Sequence, residues 1–521
     1  MKMVKSLLLV SAAGIVAASG AQAADLPVKA KPVEYVKVCS LYGAGFYYIP
    51  GTDICMKVGG YIRYQVNGGT GNSISAGPFN GIGGFNNRDV NDDISQRVRA
   101  VATFDSRQQT AYGTLRTYLL MGFNQDTTAG NPTTAPAVYM TRGFIQIAGF
   151  TFGKATSFFD FVATAAVAYN AGFLHNPDTG DGGQIVGSYT AQFGNGVSGT
   201  IGIEQSRRKP TVYVSPGTPA VLPYNFFLGV NPASDNLGNG AAATATSGLP
   251  DIVGNLRIDQ AWGSAQVMGA AHNVSSAYYG SNSGIAGILE PNGHTDAWGW
   301  AAGVGLRLNA PMIGPGDYFQ ASFQAAHGAI QYTSNTPSSN TSSYWKGNNF
   351  GFAFWEDAVF GGTATGAPAG SNIAGNSLHL TNSWSAVASY EHFWTPSLRT
   401  SVYGSYINVT HDDQANQLIC ASLAAASATA GQTAGCNANF QQWNIGSRSQ
   451  WNVTKDFYVG VDVIYQKLVS GSFNGNAPFT MTGPAAAAGA VSKLTGPNVA
   501  YQTGDQEAWT IAWRAHRDIV P

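Results

Sequence analysis

Charge is scarce in this chain of 521 residues: Lys, Arg, Asp and Glu make up 11% of it, against about 25% in an ordinary soluble domain. A soluble protein of this length needs more charged surface to stay solvated. Long apolar runs are equally lacking beyond the first two dozen residues. The nearest, residues 161–174, is too short to cross a bilayer as a helix and contains Asn170. Catalytic signatures are missing as well: there is no HExxH, no GxSxG and no histidine cluster at metal spacing. Glu356-Asp357, beside Phe354 and Trp355, is the one adjacent carboxylate pair near aromatics, and it reads as a loop or rim position. A secreted carbohydrate hydrolase would need more than this pair, so no enzyme and no cofactor is expected. Net charge is −1, and the densest basic cluster, Arg207-Arg208-Lys209, adjoins a Pro-rich stretch. It reads as a solvated loop, and nucleic acid is not an expected partner.

Cysteine is limited to Cys39, Cys55, Cys420 and Cys436. Three pairings are possible. The simplest joins Cys39 to Cys55 and Cys420 to Cys436, as structural staples in an exported protein. No histidine stands near enough to either pair to suggest zinc, and no metal site is expected. Export itself is read from the start of the chain. Lys2 and Lys5 precede the apolar residues 7–18, and Ala21-Gln22-Ala23 supplies a small-residue cleavage pattern. Residues 1–23 are therefore expected to be a signal peptide, and residues 24–521 a single mature domain.

What the chain has in abundance is glycine, 65 residues, and aromatics, 12%, arranged in short alternating runs. In residues 56–66, Ile62, Tyr64 and Val66 share one face, while Arg63 and Gln65 share the other. From 94 to 104, Val98, Ala100, Ala102 and Phe104 oppose Arg97, Arg99, Val101 and Thr103. Asp105-Ser106-Arg107-Gln108 reads as the following turn, and the run 112–121 returns with Arg116 opposite Leu115, Thr117 and Leu119. Gly194-Asn195-Gly196 between 189–193 and 197–204 is a hairpin signal. Its accidental match to a dinucleotide-binding glycine pattern lacks the helix such a site requires. Further runs are 297–308, 318–327, 384–392, 397–407, 441–451, 456–467 and 506–517.

Between the runs lie Gly/Ser/Asn/Thr/Ala stretches at about 67–90, 206–250, 332–376, 411–440 and 470–503, which lack the patterned hydrophobicity of a core. Tight turns alternating with long loops, few charges and no spanning helix together point to an all-β class: a transmembrane antiparallel β-barrel. A bilayer demands that every backbone polar group be paired within the protein, which closes the sheet. Aromatics near strand ends are expected to form interfacial girdles.

Particular segments also resemble a known family. Cys39-Ser40-Leu41-Tyr42-Gly43-Ala44-Gly45-Phe46 and the residues that follow through Arg63 look like the N-terminal signature of the general porins of rhizobia and brucellae. Arg142-Gly143-Phe144-Ile145-Gln146-Ile147 through Lys154 resembles that family's strand before its constriction loop. Ser157-Phe158-Phe159-Asp160 and Asp178-Thr179-Gly180-Asp181-Gly182 match the loop and its exit. Tyr390-Glu391-His392-Phe393-Trp394-Thr395-Pro396 is a further match. The resemblance implies 16 strands, an inward-folded third loop at residues 155–183, and a homotrimer in the bacterial outer membrane, reached through the periplasm. It also implies contact with outer-membrane lipid and lipopolysaccharide, and passive diffusion of small hydrophilic solutes and ions. Family members commonly carry an aromatic near the C-terminus; this chain departs from that in ending Arg517-Asp518-Ile519-Val520-Pro521.

On this reading Asp160, Asp178 and Asp181 of the loop face wall residues Arg63, Arg97, Arg99, Arg116 and Arg142 across a constriction, setting up a transverse field. The loop assignment comes from the resemblance and the arginine assignment from strand parity. The rival reading is a plugged or adhesive structural barrel without channel activity.

Overall fold

The computed structural model describes residues 37–69, 86–87, 94–127, 137–180, 182–209, 211–213, 249–275, 296–334, 341–346, 349–361, 377–426, 435–473, 475, 477, 479–480 and 500–519. The expected signal peptide and Asp181 lie outside them.

Two units are distinguishable, divided between Met56 and Lys57. In the first, a disulfide joins Cys39 to Cys55. Tyr47 and Tyr48 pair with Met56 and Cys55, and Cys39, Phe46 and Cys55 form a small core with Tyr42 and Tyr48 against it.

The second unit is a 16-stranded antiparallel barrel. Its first seven strands are β1 (Cys55–Gly69, which begins in the first unit), β2 (Ile94–Thr110), β3 (Gly113–Asp126), β4 (Ala137–Ile147), β5 (Phe150–Ala155), β6 (Gln184–Gly194) and β7 (Val197–Glu204). There follow β8 (Asp251–Gln260), β9 (Gly263–Ser275), β10 (Asp296–Asn309), β11 (Tyr318–His327) and β12 (Asn382–Thr395). The last four are β13 (Leu398–Thr410), β14 (Phe440–Thr454), β15 (Phe457–Val469) and β16 (Gln506–Asp518). Each strand pairs with its successor, and β16 returns to β1, with Arg63 opposite His516 and Gln65 opposite Arg514. Closure leaves no open edge, as a bilayer requires.

Alternation assigns the two faces. Val98, Phe123, Ile201, Val267, Val304, Phe323, Val402 and Ile511 are exposed on the outside. Glutamine, asparagine, serine and arginine fill the interior positions between them. Exposed aromatics cluster near the strand ends, with Tyr112, Phe150, Trp262 and Trp394 beside the short turns and Trp298, Trp384 and Trp509 near the opposite rim.

Three expectations need correction. Asp105-Ser106-Arg107-Gln108 is not a turn: β2 continues to Thr110, and the chain reverses after it, before Gly113. Charged residues end a strand only if they must reach bulk water, and here Asp105 meets Arg107 and Arg116 inside the barrel. β9 lacks clean alternation because Met268 and Ala270 on its inner face are apolar, packing with Phe159 of the inward loop. β8, also absent from the expected runs, does alternate, with Ile252 and Leu256 outside and Asn255, Arg257 and Asp259 inside. The long stretches do contribute to a core. Ala353 and Trp355 join Ile330, Ile407, Val409, Phe440, Leu468 and Ala508 in a buried cluster at the long-loop end. Within 411–440 a helix, α1 (Asp413–Ala426), begins where Asp412 accepts a hydrogen bond from the Ala415 N–H at 2.7 Å. The Cys420–Cys436 disulfide ties it to the following segment. A core built by residues far apart in sequence leaves no local period.

Candidate functional site

The segment between β5 and β6, residues 156–183, folds into the barrel and crosses its interior. Its roots are clamped by Arg142 on β4, whose guanidinium donates to Thr156 Oγ1 at 2.9 Å and to the Gly180 carbonyl at 2.6 Å. Asn255 of β8 donates to the Phe158 carbonyl at 2.6 Å, and Glu204 of β7 accepts from the Phe158 N–H at 2.8 Å. Beyond that, Val162, Val167, Ala168, Phe173 and Leu174 pack against Tyr318, Val387, Tyr403 and Ile464 of the wall. Asparagine and serine side chains take up the loop's backbone groups. Ser401 donates to the Val167 carbonyl and Asn444 to that of Phe173, while Ser405 Oγ accepts from the His175 N–H.

Tyr169 is the far anchor. Its ring lies 4.1 Å from the Arg514 guanidinium and 5.7 Å from that of Arg448. Its N–H donates to Asp462 at 2.6 Å, and its carbonyl accepts from Arg514 at 2.7 Å. The wall is shaped to receive the loop, since a Cβ on Gly460 would collide with the Tyr169 hydroxyl and one on Gly305 with the Phe161 ring. Arg448 also pairs with Glu391, which accepts from the Tyr318 hydroxyl at 2.7 Å. Each buried charge on this side has its counter-charge or hydrogen bonds, the condition for keeping it out of water.

The aspartates expected at the constriction have definite partners. Asp160 accepts from the Thr179 N–H and hydroxyl at 2.7 and 2.5 Å, and from Arg207 at 2.7 Å. Asp178 accepts from the Thr164 N–H and hydroxyl, both at 2.8 Å, and from the Gly180 N–H. Burial, with the Asp160 carboxylate nearby, pushes the Asp178 pKa above the usual carboxylate range. Both residues fasten the loop to itself. The Arg207-Arg208-Lys209 cluster is not a solvated loop: Arg207 and Lys209 are 1% exposed. Burial opposes the Arg207 charge, but Asp160, Tyr332 and Glu204 outweigh it and hold the guanidinium protonated. The Lys209 N–H donates to Asp357, and burial pulls the Lys209 ammonium down to about 7. Glu356 and Asp357, expected on a loop or rim, are fully buried, with Glu356 meeting His411 Nε2 at 2.6 Å. The basic and acidic residues of separate loops satisfy one another, and neither segment's sequence shows it alone.

The wall of β1 to β4 holds the remaining basic residues. Arg97 makes a two-pronged pair with Asp126, both contacts at 2.6 Å. Arg107 and Arg116 share Asp105. Arg99 donates to Asn124 at 2.8 Å, and Arg63 to His516 at 3.3 Å. Arg116 also lies 5.2 Å from the Tyr118 ring and 5.3 Å from that of Phe144. Their side chains keep water contact, 13% for Arg97, 27% for Arg107 and 29% for Arg116. Strand parity placed Arg63, Arg97, Arg99, Arg116 and Arg142 on this inner face. It also marks Arg448 and Arg514, which sequence reasoning left out of the site; only the loop's path distinguishes the two sets.

A closed barrel with an apolar outside, a polar inside and an inward third loop defines an outer-membrane channel protein of the porin class. Residues 25–511 match the family model described as Porin subfamily, and the chain belongs to that family. It is similar to Porin Omp2b of Brucella melitensis biotype 1, at 31% identity over 354 residues, covering 62% of this chain and 84% of the relative. The likeness to Porin Omp2b of Brucella suis biovar 1 has the same identity and coverage. Among solved structures it resembles the outer membrane channel DcaP of Acinetobacter baumannii, with a TM-score of 0.53 and 11% identity. That match spans 91% of this chain and 99% of the other, and it is a likeness of fold.

Proposed function

We propose that this chain forms a water-filled channel for passive diffusion of small hydrophilic solutes and ions, with anions favoured. The observation that carries the reading is the partly exposed guanidinium row of Arg97, Arg107 and Arg116, inside a barrel whose β13 to β16 wall is covered by the inward loop. Charges on the rim of a narrow passage set its selectivity. Among the described residues, Arg63, Arg97, Arg99, Arg107, Arg116 and Arg142 outnumber the carboxylates they are seen to meet on this wall, Asp105 and Asp126. Asp160 and Asp178 enter the reading through the loop they brace, and Asp181 through its place at the loop's exit. The channel is taken to be a homotrimer, exported through the periplasm after loss of residues 1–23 and seated among outer-membrane lipid and lipopolysaccharide. Cys39–Cys55 and Cys420–Cys436 act as staples in that oxidising setting.

The test is the reversal potential of the detergent-folded protein in planar bilayers under a KCl gradient. Exchanging Arg99 and Arg116 together for Gln is expected to shift it toward cations. An unchanged potential removes these residues from the constriction. The buried cluster around Trp355 at the long-loop end favours a second reading, a plugged structural barrel. Absence of any single-channel conductance decides for it.

A further inference from the structure

Beneath the inward loop, toward the short-turn end, a cavity of about 340 Å³ opens between the loop's residues 161–166 and strands β8 to β11. It lies apart from the guanidinium row on β1 to β4, and neither Asp160 nor Asp178 lines it. A single cross-strand row forms its floor. Asp259 on β8 stands opposite Ser264 on β9, Ser264 opposite Arg307 on β10, and Arg307 opposite Gln320 on β11. Directly opposed residues on adjacent strands hold their side chains about 5 Å apart on the same face, so these four groups project together.

The row is unevenly satisfied. Asp259 is taken by Arg257 in a two-pronged pair with both contacts at 2.8 Å. Arg307 has its guanidinium 4.1 Å from the Tyr318 ring and forms no ion pair among the described residues. Gln320 is 5% exposed, and its amide nitrogen has no hydrogen-bond partner among the described residues. A buried donor left without a partner is costly, so a group arriving to accept from it recovers that loss. Phe161 forms the apolar side of the cavity, 5.5 Å from the Arg257 guanidinium.

From this juxtaposition we infer a second solute-binding site, for a small organic anion carrying one carboxylate on an apolar, flat body. Its carboxylate lies between the Arg307 guanidinium and the Gln320 amide, which offer the donors a planar carboxylate accepts. Its body rests on Phe161. Arg307, unmatched among the described residues while Asp259 is engaged by Arg257, suits a single negative charge. The inference rests on the channel reading in one respect, that the solute reaches the cavity through the barrel.

The probe is benzoate, with benzyl alcohol as its neutral counterpart and inorganic phosphate as an anion without the flat body. Binding is measured by calorimetry on the detergent-folded full chain, and residence by interruptions of single-channel current in planar bilayers. The expected result is that benzoate binds, and binds at least tenfold more weakly to Arg307→Gln and to Gln320→Leu. Benzyl alcohol and phosphate are expected to bind at least tenfold more weakly than benzoate, while open-channel conductance in KCl stays within twofold for both variants. Two proteins that bind benzoate equally, or phosphate that binds as tightly, overturn the site even where channels form normally. A chain that binds benzoate in detergent yet conducts no current overturns the channel reading and leaves the site standing.

Discussion

Strands β2 to β4 and strands β13 to β16 present the same kinds of side chain to the barrel interior: arginine, aspartate, asparagine, glutamine and tyrosine. Their states differ. Arg116 on β3 keeps 29% of its side chain in contact with water, whereas Arg448 on β14 keeps 2%. The difference is the inward loop, which lies on β13 to β16 and turns their polar groups into docking partners. A lumen-facing arginine is thus a wall group or a fastening according to what covers it, and the two roles carry different energies.

The sharpest way to break that comparison is to remove one arginine of each kind. Arg448→Met strands Glu391 in a dry site and is expected to cost about 3–5 kcal/mol, read from urea unfolding of the detergent-folded barrel by tryptophan fluorescence. Arg116→Gln, on the wet wall, is expected to cost about 0–1 kcal/mol in the same assay. Equal losses would erase the distinction between the halves.

A second experiment turns dry wall into wet wall. Tyr169→Ala removes the ring between Arg448 and Arg514, releasing the far end of the loop. Single-channel conductance is expected to rise by roughly twofold as the barrier widens; a conductance equal to that of the unaltered protein places the narrowest point elsewhere.

Acid supplies a graded version. His175 sits in the loop's docked face, bonded to Ser334 at 3.0 Å, and burial pulls its pKa from 6.5 down to about 3. Between those values the released loop binds a proton that the docked loop does not. Docking therefore weakens as pH falls from about 6.5 to about 3, is at its weakest below that, and is unaffected above 6.5. Current noise is expected to grow over that window and to be flattened in His175→Gln. Noise that rises identically in the variant assigns the effect to another group.

The smallest effect on the channel itself is expected at the edge of the molecule. Replacing Cys420 and Cys436 by Ser opens a loop whose closure contributes on the order of 3 kcal/mol in the chain-entropy model. Channel conductance and selectivity are expected to stay unchanged, while proteolysis near α1 becomes faster. A changed reversal potential would connect this loop to the passage.

Much of the barrel was readable in advance because strand faces repeat every second residue. Val98, Ala100 and Phe104 against Arg97 and Arg99 is a local pattern, and it needed no partner to be seen. β9 was hidden because its inner face carries Met268 and Ala270, apolar residues whose partner Phe159 lies more than a hundred residues away. The turn read at Asp105-Ser106-Arg107-Gln108 failed for a related reason. Charge marks a surface only where water is the alternative, and Arg116 had already supplied another. Within the site, parity found Arg63, Arg97, Arg99, Arg116 and Arg142, but it had no means of separating them from Arg448 and Arg514. Tyr169 carried no signal at all beyond being an aromatic in a loop.

Alternation, turn chemistry and the scarcity of charge determined that this chain closes into a barrel with oil outside and polar groups within, since those depend on neighbours one or two residues away. Which half of the interior stays wet was decided by tertiary structure alone. That choice is made by contacts between segments hundreds of residues apart, such as Tyr169 with Asp462 and Arg514, where burial and pairing depend on what the fold brings opposite each charge.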